Sequence, residues 1–428
     1  MLGLVGRLPV LNCWKIFSIL NLVLFSACGF VPGLASEDIP TQPQPTSLSG
    51  DAVRPPSSYD FDIANGLYAT IAGPNSFKAP ELKNEERIKL NCPKAKKEVE
   101  ARVLWQDKPA PLVVILPGLS MSAKDPEVRL WASTLFKAGN TVLIFDSPYR
   151  SNFNEATQLG VTCNVEAEAR VCADLIQCFV NNSRAKGKIT RVGLFGASYG
   201  GILALNLNRV ATIEHDKYPL TFDRVLVFSP PVSLKTATAQ LDRYQAERQQ
   251  NGYSVDLFQE MQGLKPVPKG APMPFTDEQM RAALGYYFHE QLMPTVLFNN
   301  SNYKLNLLEQ ETGREHEVLS DSELSTVAST WTYARYINEM VVPYWQKQGR
   351  LTSVDDLWRM GSVENLLSSA NTNVRVVLTE DDPLNDPEEL RALKVRYPSP
   401  LLTVQPCGGH LGYIGCKWAL ERMTNLFE

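Results

Sequence analysis

The chemistry of this chain starts at Gly196-Ala197-Ser198-Tyr199-Gly200. An apolar run, Val192 to Phe195, leads into it, and a helix-forming run, Ile202 to Leu205, follows at once. The pattern predicts a strand, a very tight turn and a helix, with Ser198 at the apex. Such a turn strains the backbone of the serine, and only small residues fit two before and two after it. A serine held there presents its hydroxyl above the strand ends as a candidate nucleophile. The plainer alternative is a Gly-rich turn whose serine is only structural.

Serine is a poor nucleophile on its own. It needs a base within hydrogen-bond reach, and the base needs a carboxylate that fixes its tautomer. The chain has four histidines, His215, His289, His316 and His410. His410 sits in Gly408-Gly409-His410-Leu411-Gly412, after the last apolar strand pattern. His215 lies beyond the nucleophile's helix, and His289 and His316 fall in a helical stretch, so position selects His410 as the base. Four acids crowd one loop: Glu380, Asp381, Asp382 and Asp386. Asp382, directly before Pro383-Leu384, is the preferred partner of His410, and Asp386 reads as a helix N-cap. Asp146 also ends a strand, but it precedes the serine and breaks the order Ser, acid, His. It reads as structural.

Acyl transfer also needs donors for a developing oxyanion. The backbone N–H of Tyr199 opens a helix directly after the serine. A second donor is expected from Leu119, in the turn Pro117-Gly118-Leu119-Ser120. Each such donor lowers a barrier by about 3 kcal/mol. The chemistry calls for no metal and no organic cofactor.

These residues need a scaffold that brings strand ends together. Arg87 to Cys92 and Val99 to Trp105 alternate polar and apolar and predict two antiparallel strands. Pro111 to Leu116, Thr141 to Phe145, the run before Ser198, Arg224 to Phe228, Val374 to Leu378 and Leu401 to Val404 are apolar strands. Helix patterns at Asp125 to Ala138, Glu166 to Val180, Pro387 to Lys394 and Lys417 to Leu426 separate several of them. Alternation of this kind predicts a mostly parallel sheet flanked by helices, with function at the carboxyl ends of its strands. Tyr68 to Ala72 reads as a strand or a packing segment. Residues 232–370 are mostly helical in pattern, broken by the Pro-rich Lys265 to Phe275, and carry many aromatic residues. They predict a helical cap over the catalytic end. Each aromatic taken singly is cap core, and together some line an apolar pocket.

The composition, 44% hydrophobic and 21% charged in 428 residues with net charge −4, is that of a globular chain. It shows no basic patch for nucleic acid. Arg7 and Lys15 precede the apolar run Ile16 to Phe25, which reads as an export signal rather than a membrane span. Phe25-Ser26-Ala27-Cys28 resembles a lipoprotein box that would lipidate Cys28. Gly33-Leu34-Ala35 is the competing cleavage site, and an uncleaved anchor is the third reading. Either lipidation or an uncleaved anchor would tether the protein to a membrane. Residues 36–59 are rich in Pro, Ser, Gln and Thr and read as a disordered tether. Six cysteines remain beyond it, enough for three disulfides whose pairing the sequence does not give. One candidate pair is Cys407 with Cys416, which would pin the loop of His410.

The arrangement resembles the α/β-hydrolase superfamily across about residues 86–428. LPGLSMS, GASYGG, SPPVSLKTATAQLD, EDDP and GGHLG are similar to the branch of YheT-type esterases and ABHD-type acylglycerol and phospholipid hydrolases. The resemblance implies an α/β-hydrolase fold, with nucleophile Ser198, acid Asp382 and base His410. The oxyanion loop departs from the branch, with Pro117-Gly118 where His-Gly is frequent, and so does the export signal. The domains expected are a signal over 1–35, the tether over 36–59, a core of 60–231 and 371–428, and the cap over 232–370. The function expected is an exported serine hydrolase, periplasmic or anchored to a bacterial envelope, that cleaves carboxylic esters of an apolar or lipid-like kind. Amide, thioester or peptide cleavage on the same scaffold, and a non-catalytic envelope binding protein, are the alternatives.

Overall fold

The computed structural model describes residues 57–428 apart from 64, 263, 265, 266, 268, 269, 271, 314–318 and 371. The expected signal, Cys28 and most of the tether lie outside the described residues, as does His316.

Along the chain come α1 (Gly66–Ala72), β1 (Glu85–Leu90), β2 (Val99–Leu104), β3 (Ala110–Leu116), α2 (Pro126–Lys137) and β4 (Thr141–Ile144). Next are α3 (Ser151–Thr157), α4 (Val165–Val180), β5 (Ile189–Ala197), α5 (Tyr199–Ile213) and β6 (Phe222–Phe228). A helical stretch follows: α6 (Leu234–Gln250), α7 (Val255–Gln262), α8 (Asp277–Asn302), α9 (Leu307–Glu311), α10 (Asp321–Ala328) and α11 (Tyr333–Arg335). It continues through a π-helical turn (Tyr336–Val341) into α12 (Val342–Lys347), α13 (Val354–Met360) and α14 (Val363–Ser368). The chain closes with β7 (Val374–Thr379), α15 (Pro387–Arg396), β8 (Leu402–Gln405) and α16 (Lys417–Phe427).

The eight strands form one sheet in the order β1-β2-β4-β3-β5-β6-β7-β8. β2 runs antiparallel to both of its neighbours, and every pairing from β4 to β8 is parallel. Parallel strands covered on both faces must be apolar on both, and side chains alternate between the faces with period two. Leu112, Val114 and Leu116 of β3 join the core beneath α4 and α5. Val113 and Ile115 join the opposite core with Trp131 of α2 and Trp418 of α16. The same alternation splits Val225 and Val227 from Leu226 and Phe228 on β6. A third core lies in the stretch between β6 and β7, around Trp331, Tyr336, Ile337 and Trp345. Among the described residues no helix is long and apolar enough to cross a membrane.

Two expectations are corrected. Tyr68 to Ala72 is helical, within α1, because Asn65 caps it by accepting the Tyr68 N–H at 3.0 Å. Cys407 and Cys416 do not form a disulfide. Their sulfurs face different neighbours: Cys407 Sγ points to the Phe61 carbonyl at 3.8 Å, and Cys416 sits at the N-cap of α16 beside Asp60. Among the described residues, a disulfide joins Cys92, just after β1, to Cys178 on α4, with Cα atoms 5.8 Å apart. Cys163 and Cys172 are buried thiols.

Candidate active site

Ser198 sits between β5 and α5 with φ 54° and ψ −128°, a conformation that L-residues avoid. The strain survives because neighbours fix it. The Ser198 N–H donates to the Phe228 carbonyl at 2.9 Å, and the Ser198 carbonyl accepts from the Gly201 N–H at 2.8 Å. A Cβ on Gly196 would lie 2.4 Å from the Gly200 carbonyl oxygen, and one on Gly200 would lie 2.1 Å from that of Leu116. The turn therefore closes only with glycine at both positions.

The loop after β8 brings His410 over this turn. His410 Nε2 and Ser198 Oγ are 2.8 Å apart. His410 Nδ1 and Asp382 Oδ2, from the loop after β7, are 2.9 Å apart. The second Asp382 oxygen accepts the Leu384 N–H at 2.9 Å, which fixes the carboxylate. Asp382 and His410 are each 5% exposed and Ser198 8%, so the relay is almost closed to bulk water yet open at one end. With Nδ1 donating to the carboxylate, Nε2 is left to accept the serine proton.

The competing acids have other work. Glu380 pairs with Lys394 at the surface. Asp381 accepts the Gly409 N–H at 2.8 Å, and burial holds its carboxyl above the usual range. Asp386 caps α15 by accepting from Glu388 and Glu389. Asp146 accepts from the Ala123 N–H and from Asn152 and so ties two loops together, the structural role expected for it. His215 borders a separate cavity with Leu220 and Asn373, and His289, buried in α8, borders neither cavity at Ser198.

Leu119 and Tyr199 border the space beside Ser198. Among the described residues neither backbone N–H donates to a protein acceptor. Two unclaimed donors flank a strained serine, as an oxyanion site requires.

Sequence reasoning missed the segment that holds the histidine loop. Thr70 Oγ1, on α1, accepts the His410 N–H at 2.8 Å and donates to the Gly66 carbonyl at 2.7 Å. Tyr59 donates its hydroxyl to the Cys407 carbonyl at 2.5 Å. Thr379 Oγ1 donates to the Gly409 carbonyl at 2.8 Å from the other side. The loop is thus clamped between β7 and residues 57–77, and the Asn65 cap was the signal that could have found the helix. Thr70→Val strands the His410 N–H, a loss of about 1–3 kcal/mol. We expect kcat to fall about tenfold, with Thr70→Ser restoring it, as steady-state kinetics would measure.

A second unanticipated group is Glu168, 1% exposed on α4. It accepts the Tyr199 hydroxyl at 2.7 Å and the Cys163 N–H at 2.8 Å. Tyr149 packs edge-on against Tyr199, with ring centroids 5.0 Å apart. Burial pushes the Glu168 carboxyl up to about 7. A carboxyl raised by folding favours the folded state below its unfolded value, and the benefit is lost as pH rises through the folded value. Wild type is therefore expected to lose up to about 1.4 kcal/mol per pH unit between pH 5 and 7 from this group. Urea midpoints of Glu168→Gln, compared across that range, should show a shallower decline.

No protein-family model matches the chain, and no curated protein matches it. Solved structures similar to it include an esterase of Pyrococcus furiosus, 14% identical over 80% of this chain and 91% of that one, TM-score 0.43. A putative hydrolase of Legionella pneumophila is 10% identical over 80% and 87%, TM-score 0.46. A hyperthermophilic esterase of Pyrobaculum calidifontis is 15% identical over 84% and 86%, TM-score 0.37. The fold is assigned from strand order and the elements around it alone. An eight-stranded sheet with only its second strand reversed, an elbow after β5 and helices on both faces give this chain the α/β-hydrolase fold.

Proposed function

We propose that the chain is a serine hydrolase of carboxylic esters. The observation that carries this reading is the unbroken line from Ser198 Oγ through His410 to Asp382, with contacts of 2.8 and 2.9 Å, opening onto a mostly apolar pocket. Ser198 Oγ attacks the ester carbonyl carbon as His410 Nε2 takes its proton. The N–H groups of Leu119 and Tyr199 hold the oxyanion. The tetrahedral species collapses, the carbon–oxygen bond to the alcohol breaks, and His410 returns the proton to the departing oxygen. Water then attacks the acyl-serine as His410 takes its proton, the bond from the acyl carbon to Ser198 Oγ breaks, His410 returns the proton to Ser198 Oγ, and the acid leaves. Asp382 keeps the imidazole oriented and stabilises its charged form.

The branch likeness to YheT-type and ABHD-type esterases belongs to this proposal. So do export and a lipidated Cys28, which fractionation of the full chain beside Cys28→Ser would test. Matched 4-nitrophenyl esters and 4-nitroanilides test the reaction class. The reading expects ester turnover at least about 100-fold faster than anilide turnover. Faster anilide cleavage would make it an amidase instead.

A further inference from the structure

Two cavities meet at Ser198, and both are bordered by Leu119 and Phe288. The outer one, about 260 Å³, also borders His410, Thr70, Met121 and Tyr287. The inner one, about 50 Å³, borders Tyr199, Cys163, Ala237, Leu241 and Tyr336 but not His410. Chemistry tells them apart. The departing alcohol oxygen receives its proton from His410 Nε2, so the alcohol must lie on the histidine side. The oxyanion points at the N–H groups of Leu119 and Tyr199. With the alcohol on the histidine side, the inner cavity, which borders Ser198 but not His410, is the space left for the acyl chain.

Resting on the reading above, we infer that the inner cavity is the acyl pocket, and that the substrate is an ester of a compact apolar acid with a larger alcohol seated in the outer cavity. Size supports it. An apolar cavity of about 150 Å³ holds a benzene ring, so about 50 Å³ takes a chain of roughly two to four carbons.

The walls resist widening. Tyr336 donates its hydroxyl to the Thr162 carbonyl at 3.0 Å and accepts from Asn299 at 2.9 Å. Trp345 donates its indole N–H to the Val161 carbonyl at 2.7 Å. Cys163 is held at φ 91°. The helices between β6 and β7 are in this way bonded to Val161 and Thr162, next to Cys163, which lines the cavity. Ala237 and Leu241, one turn apart on α6, also line it. A long acyl chain would press on these bonded walls, whereas a larger alcohol has the cavity of about 260 Å³.

The test is kcat/KM of the full-length protein on 4-nitrophenyl acetate, butyrate and octanoate, with labelling by a small fluorophosphonate alongside. Butyrate is expected to exceed octanoate by about 100-fold. Leu241→Ala should raise octanoate relative to butyrate about tenfold, and Ala237→Leu should lower butyrate relative to acetate about tenfold. The two variants change the cavity in opposite directions, and the wild-type profile stands without either. Octanoate turned over as fast as butyrate by a protein that labels at Ser198 would overturn the pocket assignment and leave the hydrolase reading intact. A folded protein that does not label would overturn the hydrolase reading and this inference with it.

Discussion

Ser198→Ala and His410→Ala are each expected to lower kcat on an activated ester by about 10⁶-fold, and the double variant no further. The reason is geometric. Ser198 Oγ and His410 Nε2 stand 2.8 Å apart and share one proton, so neither has a use without the other. What remains in any of the three variants is the oxyanion site and the pocket, which still bind and polarise an ester. Residual turnover above the uncatalysed rate, equal in all three, is the signature of a unit. Steady-state kinetics of the two single variants and the double variant would measure it. Multiplying losses would mean that the two residues act separately.

Asp382→Asn is expected to cost about 10⁴-fold in kcat with the fold intact. Asp382 Oδ2 lies 2.9 Å from His410 Nδ1, and the pair is buried. An amide in that place can donate where a carboxylate only accepts. It would then favour the tautomer whose Nε2 already carries a proton and cannot take the one on Ser198. The neighbouring Asp381 offers the control. Asp381→Asn keeps an acceptor for the Gly409 N–H, so its activity should stay within about tenfold of wild type. Equal losses in the two variants would remove the special place of Asp382.

The proposed catalytic trio was legible because each member follows a strand in a pattern that survives in one dimension. Apolar runs mark the strands, and the loops after them carry Ser198, Asp382 and His410. The crowd of acids was harder to separate, since only side-chain direction distinguishes Asp382 from Asp381. The clamp on the histidine loop was hidden because Thr70 and His410 are 340 positions apart in the chain. Glu168 lies in the first turn of an amphipathic helix, where an acid ordinarily faces water. Its burial comes from α4 packing on α5, which places its carboxyl at the Tyr199 hydroxyl. Cysteine pairing was illegible for a similar reason. Cys92 meets Cys178 on α4 from 86 positions away, while the closely spaced Cys407 and Cys416 turn their sulfurs to different neighbours.

The central claim, that Ser198 is an activated nucleophile, has a direct measurement. The full-length protein is treated with a fluorophosphonate probe beside Ser198→Ala, and the modified peptide is located by mass spectrometry. The reading predicts one adduct, on the peptide containing Ser198, absent in the variant. A folded wild type that takes up no probe, or that carries it on another residue, would contradict it.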